Sequence, residues 1–306
     1  MNHAPHKNFT FPLNVYSHIL IKDYGRFDYL HYGLFSADDT SVLTAQQRAT
    51  DLLFAHLPQN SCKILEVGIG LGTTLAKLVK AGYKVIGITP DENQIRYAKN
   101  SYGEQLPAVH SRLEDFSTTQ KFDLIMFQES AQYIDTTTIF NKAIELLTDD
   151  GQIIIMDEIA LRKCLPSERG LPLLDHYISL AQEKGFELIE QLDLSSQALP
   201  TNQYILDAVI RYRENAIDEL GLSAADIDGL IDSAKRYLEK YEDGRYGYCF
   251  LQFKTRALSD STVDVCGVGT VNAFDRHTNN FQTSDSVNLT TKLRHFFWRL
   301  MRRHSL

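Results

Sequence analysis

Residues 63–73 read Lys-Ile-Leu-Glu-Val-Gly-Ile-Gly-Leu-Gly-Thr, a short apolar run that ends in an acid, Glu66, and opens into three alternate glycines, Gly68, Gly70 and Gly72. A run of that length has the character of a buried strand, and the segment Thr73 to Ala81 after it is helical in pattern, so the glycines mark a strand-to-helix turn. Glycine there permits a tight turn and lets a ligand come close to the main chain. Exposed amides at the following helix add partial positive charge on the same side. The spacing departs from the dinucleotide pattern Gly-x-Gly-x-x-Gly, whose third glycine falls one residue later. A turn without a ligand is the bland alternative; a ligand loop is the reading carried forward.

Outward from this turn the chain alternates as α/β domains do. Strand-like runs at residues 63–68, 83–89, 121–128 and 151–159 are separated by helical segments around Thr73 to Ala81, Asp91 to Tyr102 and Thr137 to Leu147. Runs apolar on both faces fit parallel strands covered by helices, which predicts a doubly wound α/β sheet. A helix around Leu173 to Lys184 stops at Gly185 and feeds a strand at 186–194. Two helical stretches, Pro200 to Leu220 and Ala224 to Tyr241, then form an insertion (200–241) before a last, antiparallel strand at 245–254. That insertion is the expected substrate wall.

Four regions follow. Residues 1–57 hold an aromatic N-terminal lid (Phe9 to Phe35) and a helix over Ser41 to Leu57 closed by Pro58, and residues 58–254 hold the core. Residues 255–288 are polar and read as a linker. Residues 289–306 are a basic amphipathic tail, with Leu289, Leu293, Phe296, Phe297 and Leu300 at helical intervals among Lys292, Arg299, Arg302 and Arg303. Packing onto its own domain, contact with an anionic membrane surface and binding to a partner groove all stay open for it.

Composition narrows the classes. The 306 residues are 43% hydrophobic, and 31 Lys and Arg against 39 Asp and Glu give a formal net charge of -8, so no nucleic-acid partner is expected. No apolar stretch approaches the ~20 residues of a membrane span, and the first residues lack a signal-like run. Cys62, Cys164, Cys249 and Cys266 form no Cys-x-x-Cys pair, and the histidines are scattered, so a metal-free site in the cytoplasm is expected. Oligomeric state is not legible.

With the glycine turn and its acid in view, the stretch Tyr29 to Lys254 resembles the class I S-adenosylmethionine-dependent methyltransferases. The resemblance implies their mostly parallel seven-stranded sheet, methyl transfer from S-adenosylmethionine, and a cofactor cradle of Glu66, Gly68, Gly70 and Gly72. Glu66 is chemically apt because a carboxylate accepts from the cofactor's ammonium group directly or through water. Thr89 stands where many members of the family place an acid for the ribose. A hydroxyl there, with a Gln in the next helix, is similar to the cyclopropane fatty acid synthase subgroup, which implies ribose contacts from Thr89, Pro90 and Gln94. Thr89 is equally placed to cap a helix starting at Pro90. The same resemblance assigns the adenine to Leu113 and Glu114, and a cofactor contact to Gln128.

Chemistry is expected above the carboxyl ends of the strands, where open α/β sheets bind ligands. Residues 127–133, Phe-Gln-Glu-Ser-Ala-Gln-Tyr, end the fourth strand, and Glu129 there matches an active-site Glu of the cyclopropane synthase subgroup. That subgroup follows it with His where this chain has Ser130, which favours ordinary methyl transfer. Tyr29, His31, Tyr32 and Phe35 match an aromatic lid, with Tyr32 over the cofactor and Gln46 seating it. Glu129 or His31 would take a proton if the acceptor carries one. Substrate contacts are assigned to Tyr29, Tyr133, His176, Tyr204 and Tyr246, within a wider tyrosine wall that includes Tyr212, Tyr237, Tyr241 and Tyr248. The reading is thus methyl transfer to a small organic acceptor through N, O or C. Cyclopropane formation on an unsaturated lipid is the alternative; an NAD-dependent oxidoreductase and a non-catalytic cofactor-binding protein fit the residues less well.

Overall fold

A computed structural model of the chain describes residues 9–38, 41–58, 62–163 and 170–256. The linker and tail beyond Arg256 lie outside these residues, as do Cys164 and Cys266. In chain order the elements are α1 (Leu13–Tyr24), α2 (Val42–Ala55), β1 (Lys63–Val67), α3 (Thr73–Lys80), β2 (Lys84–Thr89), α4 (Glu92–Tyr102), β3 (Ala108–His110), β4 (Phe122–Gln128), α5 (Thr136–Leu146), β5 (Leu147–Ala160), α6 (Leu174–Glu183), β6 (Phe186–Asp193), α7 (Ser195–Arg211), α8 (Arg213–Leu220), α9 (Ala224–Glu242) and β7 (Tyr246–Thr255). The strands form one sheet in the order β3-β2-β1-β4-β5-β7-β6. The first five strands pair in parallel, and β7 runs antiparallel to both β5 and β6. The doubly wound sheet and its reversed last strand are therefore as the pattern predicts.

Two cores sit on the two faces, as the two-residue period of a strand requires. Ile64, Leu124, Met126, Ile154, Met156 and Phe250 pack with Leu53 of α2 and Leu75 and Leu78 of α3. Leu65, Ile125, Phe127, Ile155 and Phe253 face the other way, against Phe140 of α5 and Tyr177 of α6. Glu66, Gln128, Glu158 and Tyr248 continue the rows of the first face toward the carboxyl edge of the sheet. That face is the one covered by the insertion.

Three boundaries differ from the sequence reading. Helix α1 lies within the stretch read only as aromatic; Val15 and Ile19 pack on α7 and α9 while Leu20 packs on Phe27 and Leu71, so apolar residues ring it and no single stripe shows. Helix α4 begins after Asp91, whose Oδ1 accepts from the Asn93 amide at 2.8 Å, so Pro90 is not the first helical residue and Thr89 is not the cap. Helix α7 begins five residues before Pro200, at Ser195, whose amide donates to Asp193 at 2.9 Å. A proline inside a helix removes one internal hydrogen bond, and packing overrides that local cost here.

At Gly72, the residue before α3, φ is +78° and an added Cβ would lie 2.5 Å from Ala98 Cβ on α4. Gly72→Ala should therefore destabilise the fold by about 3 kcal/mol through left-handed strain and overpacking. Urea unfolding followed by circular dichroism checks this; an unchanged midpoint would show that the turn relaxes freely.

Candidate active site

The N-terminal segment is strapped across the carboxyl edge of the sheet. The Tyr32 amide donates to Glu129 Oε1, and the Tyr32 hydroxyl donates to Asn202 Oδ1 of α7 at 2.6 Å. On either side, Gln46 Nε2 donates to the His31 carbonyl at 2.7 Å, the Gly33 amide to Thr201 Oγ1 at 3.0 Å, and the Phe35 amide to the Gln197 carbonyl at 2.8 Å. Gly33 is required for this seat, because a Cβ there would come within 2.5 Å of Ala45 Cβ on α2. Leu30 covers Gly70, and Ser130 covers Gly68. The strap thus lies directly over the glycine turn.

Beneath it, Glu66 is buried and its Oε2 has no hydrogen-bond partner; the same holds for Gln128 Nε2, Gln46 Oε1 and Asn202 Nδ2. Buried polar atoms cost free energy when unpaired, and these four comprise two acceptors and two donors on the residues of the strap's seat and of the strands below it. Gln128 Oε1 accepts from Thr74 at 3.0 Å, which turns its amide nitrogen free. Thr89 donates to Gln94 Oε1 at 2.7 Å, joining the end of β2 to α4.

Glu129 follows β4 with φ +54°, and among the described residues no other non-glycine has a positive φ. Such strain, typically ~1–3 kcal/mol, persists where the surroundings over-determine it and clusters at functional sites. Here the Glu129 amide donates to the Met156 carbonyl at 2.9 Å, and its Oε1 accepts from the Tyr32 amide and from the Tyr248 hydroxyl at 2.8 Å. The Tyr32 ring stacks on Tyr248, with centroids 5.8 Å apart and planes 9° apart. Two further acids stand at the end of β5. Asp157 accepts from the Gln132 amide at 3.0 Å; Glu158 accepts from Tyr237 at 3.0 Å and from Tyr241 at 2.7 Å.

Comparison with known proteins fits this arrangement. Residues 64–151, from β1 into β5, match the model of a methyltransferase domain. This domain and the seven-stranded sheet support a class I S-adenosylmethionine-dependent methyltransferase. It is 26% identical to methyltransferase GfsG of Streptomyces halstedii, across 73% of this chain and 86% of that protein. The fold is shared with a putative sarcosine dimethylglycine methyltransferase from Galdieria sulphuraria (TM-score 0.69, 16% identity, 79% of this chain and 97% of that one). It is shared too with the cyclopropane synthase MmaA2 from Mycobacterium tuberculosis (TM-score 0.65, 16% identity, 83% and 95%).

In this methyltransferase several assigned residues fall elsewhere than the sequence predicts. His31 is buried, with Nδ1 on the Tyr32 carbonyl at 2.8 Å and Nε2 on Thr50 Oγ1 at 3.2 Å, and burial pulls its pKa down to about 4. A ring with both nitrogens engaged braces the strap, which removes it as a proton acceptor. Tyr204 donates to Asp23 of α1 at 2.8 Å, where Tyr212 (2.6 Å) and Arg211 (2.7 Å) also converge, so the Tyr204 and Tyr212 hydroxyls pin α1 to the insertion. His176 is exposed on α6, outside the carboxylate group. Tyr29 donates to Gln47 at 3.1 Å under Lys77, with its ring against His31. Glu114 pairs with Arg112 at 2.8 Å on the surface after β3, and Leu113 is buried beside Ile88 and Val67. Tyr246 is buried against Tyr237 at the rim, and Tyr133 faces Asp157, Glu158 and Glu129.

Asp157, Glu158 and Asn202 went unread in the sequence. The first two had a signal, an acid pair inside the apolar run Ile-Ile-Ile-Met-Asp-Glu-Ile-Ala at a strand's carboxyl end. Asn202 lies inside a helix and carried none.

Burial pushes Glu66 up from 4.5 to about 8. Between those values the folded chain keeps a proton that the unfolded chain gives up, so this stabilising contribution is complete below 4.5 and is lost as pH rises through about 8. Melting of the ligand-free methyltransferase should fall from about pH 5 to about pH 9, and Glu66→Gln, which cannot ionise, should flatten the slope. Identical slopes in a thermal-shift series would show that Glu66 is not desolvated.

Proposed function

We propose that the chain transfers the methyl group of S-adenosylmethionine to a small organic acceptor whose accepting atom carries a proton, with a hydroxyl as the group that fits best. Glu129 carries this reading. It is a carboxylate fixed over the glycine turn, and burial, then the charges of Glu158 and Asp157, raise its pKa well above the ordinary range. A carboxylate shifted in that direction holds a proton more strongly than an ordinary one, as a general base must. A hydroxyl is a poor nucleophile until its proton is removed. Its O–H bond breaks, the proton goes to a Glu129 oxygen, and the electron pair stays on the acceptor oxygen.

The cradle supports the cofactor half of the reading. Glu66, Gln46 and Gln128 hold the unpartnered buried atoms that an amino-acid end would satisfy, Gly68, Gly70 and Gly72 allow the positive-φ turn beside them, and Thr89 with Gln94 offers polar atoms to a ribose. When bound, S-adenosylmethionine supplies an electrophilic methyl group on a sulfonium. The strap through Tyr32 excludes water from this edge, and its ring, stacked on Tyr248, offers a π face to a cation. Tyr133 and Tyr246 remain the proposed acceptor contacts.

The cyclopropane alternative is supported by the subgroup-like Thr89 and Gln94 pair and by the buried Glu129. A labelled-methyl screen over phenols, amines, carboxylates and unsaturated phospholipids separates the two by product mass and by retention of the double bond. The expected outcome is a methylated hydroxyl compound with all double bonds intact. With that acceptor, Glu129→Gln should lower turnover roughly 10²- to 10⁴-fold while S-adenosylhomocysteine still binds in calorimetry. Equal turnover would remove Glu129 from the reaction. Glu66→Ala should weaken S-adenosylhomocysteine binding about 10- to 100-fold.

A further inference from the structure

The two glutamates at the carboxyl edge are held by different parts of the chain. Glu129 is bound by the strap, through the Tyr32 amide, and by β7, through Tyr248. Glu158 is gripped by α9, with Tyr237 on Oε2 at 3.0 Å and Tyr241 on Oε1 at 2.7 Å. Tyr32 lies between them, since its ring also packs against Tyr241 (centroids 6.4 Å apart) and its hydroxyl faces Glu158. Helix α9 thus reaches Glu129 by way of Glu158 and Tyr32.

We propose that Glu158 is a positioning residue for Glu129: held at the end of β5 by Tyr237 and Tyr241, its charge governs how readily Glu129 takes up a proton, so that the seating of insertion helix α9 sets the state of the acid. This rests on reading Glu129 as the proton acceptor. The groups that face the pair come from every side: Tyr32 from the strap, Tyr16 from α1, Tyr133 after β4, Asp157 beside Glu158 on β5, Tyr248 from β7, and Tyr237 and Tyr241 from α9. Lys240 of the same helix sits over the Tyr246 ring, 4.9 Å from its centroid. Two carboxylates in one desolvated site resist double ionisation. Glu158 has a phenolic donor on each oxygen, and its charge follows burial as the next largest cause of the upward shift of Glu129. Were α9 to lift, Glu158 would lose the Tyr237 and Tyr241 donors that hold its carboxylate beside this group of acids.

The test needs no acceptor. In the full chain saturated with S-adenosylhomocysteine, the infrared carboxyl band that disappears in Glu129→Gln reports the protonation of Glu129. Glu158→Gln should move its pH midpoint down by about one unit or more. Glu158→Asp should leave it near the wild-type position, and a double Tyr237→Phe, Tyr241→Phe variant should move it in the same direction by less. An unmoved midpoint in Glu158→Gln that still binds S-adenosylhomocysteine overturns the proposal. If that variant does not fold, an unmoved midpoint in the double tyrosine variant does so. Failure of the base assignment reads separately, as unchanged turnover in Glu129→Gln with the band still shifting.

Discussion

The hydrogen bond from the Tyr32 amide to Glu129 ties the first part of the chain to the sheet. The Tyr32 hydroxyl on Asn202 and the flanking contacts of His31, Gly33 and Phe35 hold the strap to α2 and α7, but this bond alone joins its main chain to Glu129. The bond also fixes Glu129 in a left-handed conformation that a non-glycine residue adopts only under constraint. A loop acid is thereby turned into a positioned one.

Closing that edge has an electrostatic cost. Glu66, Glu129 and Asp157 are all raised in pKa first by burial, and no single ion pair offsets them among the described residues. Apart from Glu66, whose Oε2 has no partner, the acids at this edge receive neutral donors. Tyr248 serves Glu129, Tyr237 and Tyr241 serve Glu158, and the Gln132 amide serves Asp157. Phenolic donors stabilise charge without cancelling it. An arginine in their place would have locked them ionised.

The insertion supplies both halves of this arrangement. Helix α7 receives the strap through Thr201 and Asn202 and is bound to α1 through Tyr204 and Asp23, while α9 packs on α7 and reaches Glu158. Tyrosines along the insertion therefore divide by role. Those on the α1 side hold the lid, and those on the β5 side address the carboxylates.

Repeating local patterns carried the sheet, its winding and the glycine cradle into the sequence reading. Strand length, the two-residue alternation and the run from Glu66 to Gly72 are properties of neighbours in the chain, and backbone sterics at Gly72 follow from them. Glu129 and Tyr32 were readable because each sits in a short motif at a strand end or before a helix. Their contact was not, because it joins residues 97 apart. The same holds for His31, whose near-neutral ordinary pKa recommends it as a base until burial between α2 and the strap fixes it neutral, and for Tyr204, whose hydroxyl is taken by an aspartate 181 residues away. Which polar groups end up desolvated, and which find partners, depends on long-range packing; the sequence by itself determined the frame and its cradle, and the tertiary structure alone decided the chemistry of the acids above it.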